Sequence, residues 1–161
     1  MAHHISEQEV LDAQKAWGEG IVSIGKVFQE DGDFTAAATE HIHKFYNYQD
    51  GDVLFKPTLA AHQQFRPTFE GALSYFVGHN DDFPEDHGFA IKPWSAVRWE
   101  SHGVQTLGEN AIAMGNYFFT PVAGGDDVKV EYTFAYTKDS NGDLKIISHG
   151  SHIPYSPEPV A

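Results

Sequence analysis

Between Ser148 and Tyr155 the chain reads S-H-G-S-H-I-P-Y, which brings two histidines, two serines and a tyrosine into eight residues. Two imidazoles at this spacing can act as a pair of metal ligands, or as the polar wall of a pocket that works without a metal. A zinc site needs further His or carboxylate ligands converging from elsewhere. The other histidines (His3, His4, His41, His43, His62, His79, His87 and His102) are scattered without ligand-like spacing. The chain contains no cysteine, so disulfides, thiolate nucleophiles and Cys-based metal sites are excluded. On a β-strand, successive side chains alternate between faces. Ile147, His149 and Ser151 then share one face, and Ser148, Gly150 and His152 the other. The two histidines point apart, which leaves His149 and Ser151 as a pocket-lining pair; the alternative is a satisfied polar pair at a strand end. No G-x-S-x-G elbow surrounds Ser151 and no glycine-rich phosphate loop occurs, which argues against acyl transfer and nucleotide chemistry.

Other polar groups in apolar settings are Thr58, after F-K-P, and Tyr75, within A-L-S-Y-F-V. A tyrosine on an apolar stripe is most often core with its hydroxyl bonded. Glu131 alternates with Lys129 and Thr133, so it is either solvated or directed into a pocket.

The elements that must position these groups are legible in outline. Ser6-Glu-Gln-Glu9 has the spacing of a capping box. Behind it Val10, Trp17, Ile21, Ile24 and Phe28 form an apolar helical face. Gly18, Gly20 and Gly25 in that helix imply close packing against a neighbour. Asp33 is an N-cap for a second helix to about Phe45, with Ala38, Ile42 and Phe45 inward and His41 in solvent. Residues 53–58 read as a short strand ending at Pro57, and 68–77 as a third helix with Phe69, Leu73 and Phe76 on one face. After the acidic turn region 80–88 the pattern alternates. Residues 111–120 and 128–137 are strands joined by a hairpin loop at 123–127, and Asn141-Gly142 turns the chain into a last strand over 144–151. This order predicts a single α+β domain over 1–161, a cone-shaped α+β barrel (cystatin-like, SnoaL-like) with N-terminal helices packed in a curved antiparallel sheet. A generic α+β sandwich is the competing arrangement.

At 161 residues, 41% hydrophobic and 14% aromatic, the chain has a globular composition. No apolar run approaches the roughly 20 residues of a membrane span. The N-terminus lacks a signal pattern; the expected location is cytoplasmic, or periplasmic if a leader has been removed. The formal charge of −13 opposes phosphate backbones and anionic lipids, so nucleic acid and membranes are poor partners. A small anion bound here needs local hydrogen-bond donors to overcome that field.

One block is more specific than pattern: Y-N-Y-Q-D-G-D-V-L-F-K-P-T-L-A, then Q-Q-F-R-P-T-F-E-G-A-L-S-Y-F-V-G, F-P-E-D-H-G-F-A-I-K-P-W, A-M-G-N-Y-F-F-T and V-E-Y-T-F-A-Y. From about Tyr46 to Tyr155 the chain resembles the iota class of carbonic anhydrases, a family related to the association domain of calcium/calmodulin-dependent kinase. The family's terminal motif is close to H-H-S-S-x-P. Here His149, Ser151 and Pro154 match it, while Gly150 replaces the second histidine and His152 the second serine. The resemblance implies the cone fold, a homodimer, and reversible hydration of CO2 to bicarbonate. It places the family's hydroxyl-and-histidine cluster on Thr58, Tyr75, His149 and Ser151. It implies no metal cofactor, although some relatives are linked to manganese or zinc.

On this reading Thr58, Tyr75 and Ser151 bind one water, and neutral His149 accepts its proton, directly or through a hydroxyl or water. The donors then stabilise charge on the bicarbonate oxygens, and Phe55, Phe76 or Phe134 form the apolar side that meets CO2. A non-catalytic oligomeric binding or assembly module is the competing function. A third, proton transfer of the ketosteroid isomerase kind, needs a carboxylate deep in the pocket, for which Glu131 is the one candidate.

Overall fold

Ser6 starts the first helix as its spacing predicts. Its hydroxyl accepts from the Glu9 N–H while the Glu9 carboxylate accepts from the Ser6 N–H. Helix α1 then runs Glu7–Gln29. The computed structural model describes residues 4–157, so His3 lies outside the described residues. Val10, Trp17, Ile21 and Ile24 are buried along one face, whereas Phe28 near the helix end is 36% exposed. Asp33 caps α2 (Phe34–Phe45) through the Ala36 N–H. Ala38, Ile42 and Phe45 face inward, and so does His41, contrary to expectation. Gly20 explains this. It lies opposite His41 where α1 and α2 cross, and a Cβ at that position would collide with the imidazole. The His41 ring is packed instead among Trp17, Phe45 and Phe76.

Strand β1 (Leu54–Lys56) stops at Pro57, and Thr68 caps α3 (Phe69–Val77). A one-turn 3-10 helix, Phe89–Ile91, leads into β2 (Trp94–Leu107), β3 (Asn110–Pro121), β4 (Val128–Lys138) and β5 (Leu144–His152). β2 to β5 pair consecutively and antiparallel, and β1 adds at the far edge in parallel, giving the order β1-β5-β4-β3-β2. Bulges in the β2–β3 and β4–β5 pairs bend the sheet around α1. Gly18 lets α1 sit directly on Val97 and Trp99 of β2.

Two details of this sheet decide the site. First, the parallel register sets Phe55 opposite His149 and Lys56 opposite Gly150, which carries the segment after Pro57 to the end of β5. Second, Tyr136 pairs with Ile146 and Ala135 with Ser148, so Ile147 is an extra residue. Ile146, His149 and Ser151 are therefore the buried set, and Ile147 does not share their face. Strict alternation had placed Ile147 inward; one inserted residue shifts the phase. On the outer face Glu131 is exposed and pairs in register with His152. His152 folds back over Gly150, where a Cβ would lie 3.2 Å from its Nε2. Glu131 thus stands away from the interior, and no carboxylate base enters from β4 at that position.

Candidate active site

Ser151 Oγ lies 2.5 Å from Thr58 Oγ1 and 2.5 Å from the Tyr117 hydroxyl. Tyr117 OH is also 3.0 Å from His149 Nε2, and the Tyr46 hydroxyl is 2.9 Å from His149 Nδ1. Trp17 Nε1 donates to the Tyr46 oxygen at 3.1 Å. Tyr75 OH accepts from the Leu59 N–H at 3.2 Å, beside Thr58. Elements α1, α3, β3 and β5, the end of α2 and the segment after β1 each contribute to this line of polar groups through a largely aromatic interior.

The direction of the line follows from its first member. An indole N–H can only donate, so the Tyr46 proton is left for His149 Nδ1. His149 is then the Nε2–H tautomer and donates to Tyr117, which donates to Ser151, which donates to Thr58. Phe134 stacks on one side of the imidazole at 4.0 Å between centroids, and Phe55 on the other at 5.0 Å. Both ring nitrogens are engaged and both faces covered by phenyl rings, so of the two expected routes, direct and through a hydroxyl, the geometry leaves the one through Tyr117 and Ser151.

Burial sets the ionisation of these groups. It drives His149 from 6.5 to about 3, with a smaller contribution from His152, and likewise drives His41 to about 3, with Lys44 adding. Burial pushes the Tyr75 phenol up to about 12, opposed by the Leu59 N–H, and raises Tyr46 and Tyr117 further. A histidine kept neutral in the fold is protonated first in the unfolded chain. Its stabilising contribution is therefore complete above pH 6.5 and lost as pH falls toward 3. At about one pH unit below 6.5, the pair together costs roughly 3 kcal/mol. The urea midpoint is expected to fall markedly between about pH 7.5 and 5.5, with a smaller fall in His41→Gln; an unchanged midpoint would refute the assignment.

Thr58, Tyr75, His149 and Ser151 line one small chamber together with Phe55 and Phe76. All the site residues expected from sequence are thus brought together. The chamber volume of about 10 Å³ is close to that needed for one water. Through Thr58, Tyr75 and Phe89 it meets an outer cavity of about 250 Å³. Two ties fix the loops around that cavity. The Glu85 carboxylate accepts from the N–H groups of Ala61, His62 and Gln63, which hold its carboxyl down at about 2. Arg66 and Asp86 form a fully buried two-pronged ion pair at 2.7 and 2.8 Å, with Ser74 also donating to Asp86.

Sequence reasoning missed Tyr117, Tyr46 and Trp17 as parts of the site. Tyr117 stands within A-M-G-N-Y-F-F-T on an inward position, the only available signal, but a phenol there reads as core. The manganese or zinc alternative finds no suitable donor set. Both His149 nitrogens are held by phenols, and among the described residues no group of three His, Asp or Glu could hold a metal ion.

Residues 8–153 match the family described as metal-independent carbonic anhydrase. A metal-independent carbonic anhydrase from Nostoc sp. strain PCC 7120 is 44% identical over 154 residues, covering 94% of this chain and 75% of the relative. The crystal structure of a cyanobacterial iota-carbonic anhydrase complexed with bicarbonate superposes with a TM-score of 0.93 at 42% identity, over 98% of this chain and 97% of that one. A nuclear transport factor 2-like protein from Salmonella enterica shares the fold at 10% identity and a TM-score of 0.58, over 94% and 92% of the two chains. The expected cone fold is thereby established, and the hydroxyl-lined chamber lies within the matched segment: the chain belongs to the metal-independent carbonic anhydrase family.

Proposed function

We propose that this chain carries out its family's reaction, the reversible hydration of CO2 to bicarbonate, where the one-water chamber meets the outer cavity, with Thr58, Tyr75 and Ser151 as catalytic residues. The observation that carries the proposal is the directed line of donors from Trp17 to Thr58 ending at that chamber. A water seated by Thr58, Ser151 and Tyr75 presents a lone pair to CO2 arriving through the outer cavity. CO2 is neutral and apolar, so the acidic surface does not repel it, and Phe89 and Phe119 suit it. The C–O bond forms, one C=O electron pair moves to oxygen, and one water proton departs. Tyr75, with the Leu59 N–H behind its oxygen, and Thr58 donate to the oxygen that gains charge. Such local donors answer the net charge of −13. His149 and Tyr117 act through Ser151 as positioning residues. A homodimer is part of this proposal, favoured by exposed Ile112 and Met114 on the outer face of β3.

The test is stopped-flow CO2 hydration by protein stripped with a strong chelator. The stripped protein is expected to keep its full rate, with no gain from added zinc or manganese. Loss of activity on stripping and its return with metal would overturn the metal-free scheme; no hydration by any form would favour the non-catalytic binding module.

A further inference from the structure

Each hydration event liberates a proton that must reach bulk buffer, a requirement that rests on the reaction site assigned above. We propose that His87 is the relay residue that carries this proton out of the cavity. Along the donor line itself no acceptor is left: both His149 nitrogens are hydrogen-bonded to phenols, and Trp17 is a pure donor. The proton therefore leaves through the outer cavity, whose charged or titratable lining groups among the described residues, besides Tyr75, are Glu85, Asp86, His87 and Lys92.

Three of these are poor carriers. Glu85 has its carboxylate filled by three backbone N–H groups and held at about 2. Asp86 is taken by both prongs of Arg66 and by Ser74. A lysine ammonium has no lone pair to accept with. His87 remains, and an imidazole can accept at one nitrogen while releasing from the other.

Its placement suits the task. The side chain is exposed, yet it lines the same cavity as Thr58 and Tyr75. Its backbone is fixed on both sides. Asp86 before it is locked in the buried ion pair, and Gly88 after it holds φ +85° against Ile91 and Val77. A cavity of about 250 Å³ has room for the few waters that would link the chamber to the ring. The proton passes from the attacking water through cavity water to a His87 nitrogen, and from the other nitrogen to a buffer base, with no net change in the ring.

The test is the kcat and kcat/KM of His87→Ala and His87→Gln near neutral pH, in dilute and in imidazole-rich buffer. Proton release enters kcat but not kcat/KM. In dilute non-imidazole buffer kcat is expected to fall by about tenfold or more, with kcat/KM unchanged and imidazole restoring kcat. An unchanged kcat in dilute buffer, a parallel fall in kcat/KM, or failure of imidazole to rescue would overturn the relay. Failure of the underlying reaction site looks different: there, Ser151→Ala keeps the wild-type kcat/KM, or the wild type does not hydrate CO2, and the relay falls with it.

Discussion

Ser151→Ala is expected to lower kcat for CO2 hydration by about 10²–10³, the typical loss on removing one preorganised donor from a charge-stabilising site. The hydroxyl bridges Tyr117 and Thr58 at 2.5 Å each, so its loss cuts the line of donors one group short of the water. Thr58 then has no polarising neighbour, and the buried Tyr117 proton loses its acceptor. That orphaned donor destabilises the fold by about 1–3 kcal/mol, which leaves it folded under assay conditions. Ser148→Ala is the matched control. Its hydroxyl donates to the Leu54 carbonyl on the opposite side of the same strand, and its removal should leave hydration near wild type. Stopped-flow rates with a thermal melt of each protein check both outcomes. A Ser151→Ala enzyme within a few-fold of wild type would remove Ser151 from the reaction.

The largest stability loss is expected from Asp86→Ala. The Arg66–Asp86 pair has no exposed side-chain surface on either partner. Arg66 further donates to the Gln63 and Gly71 carbonyls and lies 4.4 Å over the Phe83 ring. Removing Asp86 leaves the guanidinium charge buried with only neutral partners, a change that costs about 3–5 kcal/mol in comparable pairs. The double variant Arg66→Met, Asp86→Leu removes both charges and is expected to recover most of that loss. Urea denaturation of the three proteins decides the matter: a double variant no more stable than the single one would show that packing, not the charge, is what the pair supplies. Activity should fall with Asp86→Ala as well, because this pair holds the loop of Thr58 and Leu59 against the one bearing His87.

The sequence made the helices and the later hairpins legible because each carries its own local signal: the Ser6 capping box, Asp33, Thr68 and the Asn141-Gly142 turn. The pairing of His149 with Ser151 followed from strand alternation, and Thr58 and Tyr75 from the family resemblance. What remained hidden depends on contacts between distant segments. Ile147 changes side because of a bulge against β4, which alternation cannot register. His41 goes inward because α1 offers a glycine where the helices cross. β2 was not separated from the alternating region, since most of its residues are exposed or half-buried and give it little apolar rhythm. Tyr46 and Tyr117 meet one imidazole across 103 and 32 residues, and nothing local distinguishes them from core tyrosines.

The size of the chamber has a consequence for turnover. A seat of about 10 Å³ accommodates the water but not the larger anion made from it. Bond formation therefore crowds its own product toward the outer cavity. From there the anion passes into solvent, and the protein's charge of −13 disfavours its return. Steric eviction followed by electrostatic repulsion clears the seat for the next water, and the narrowness that positions the nucleophile also limits how long the product can block it.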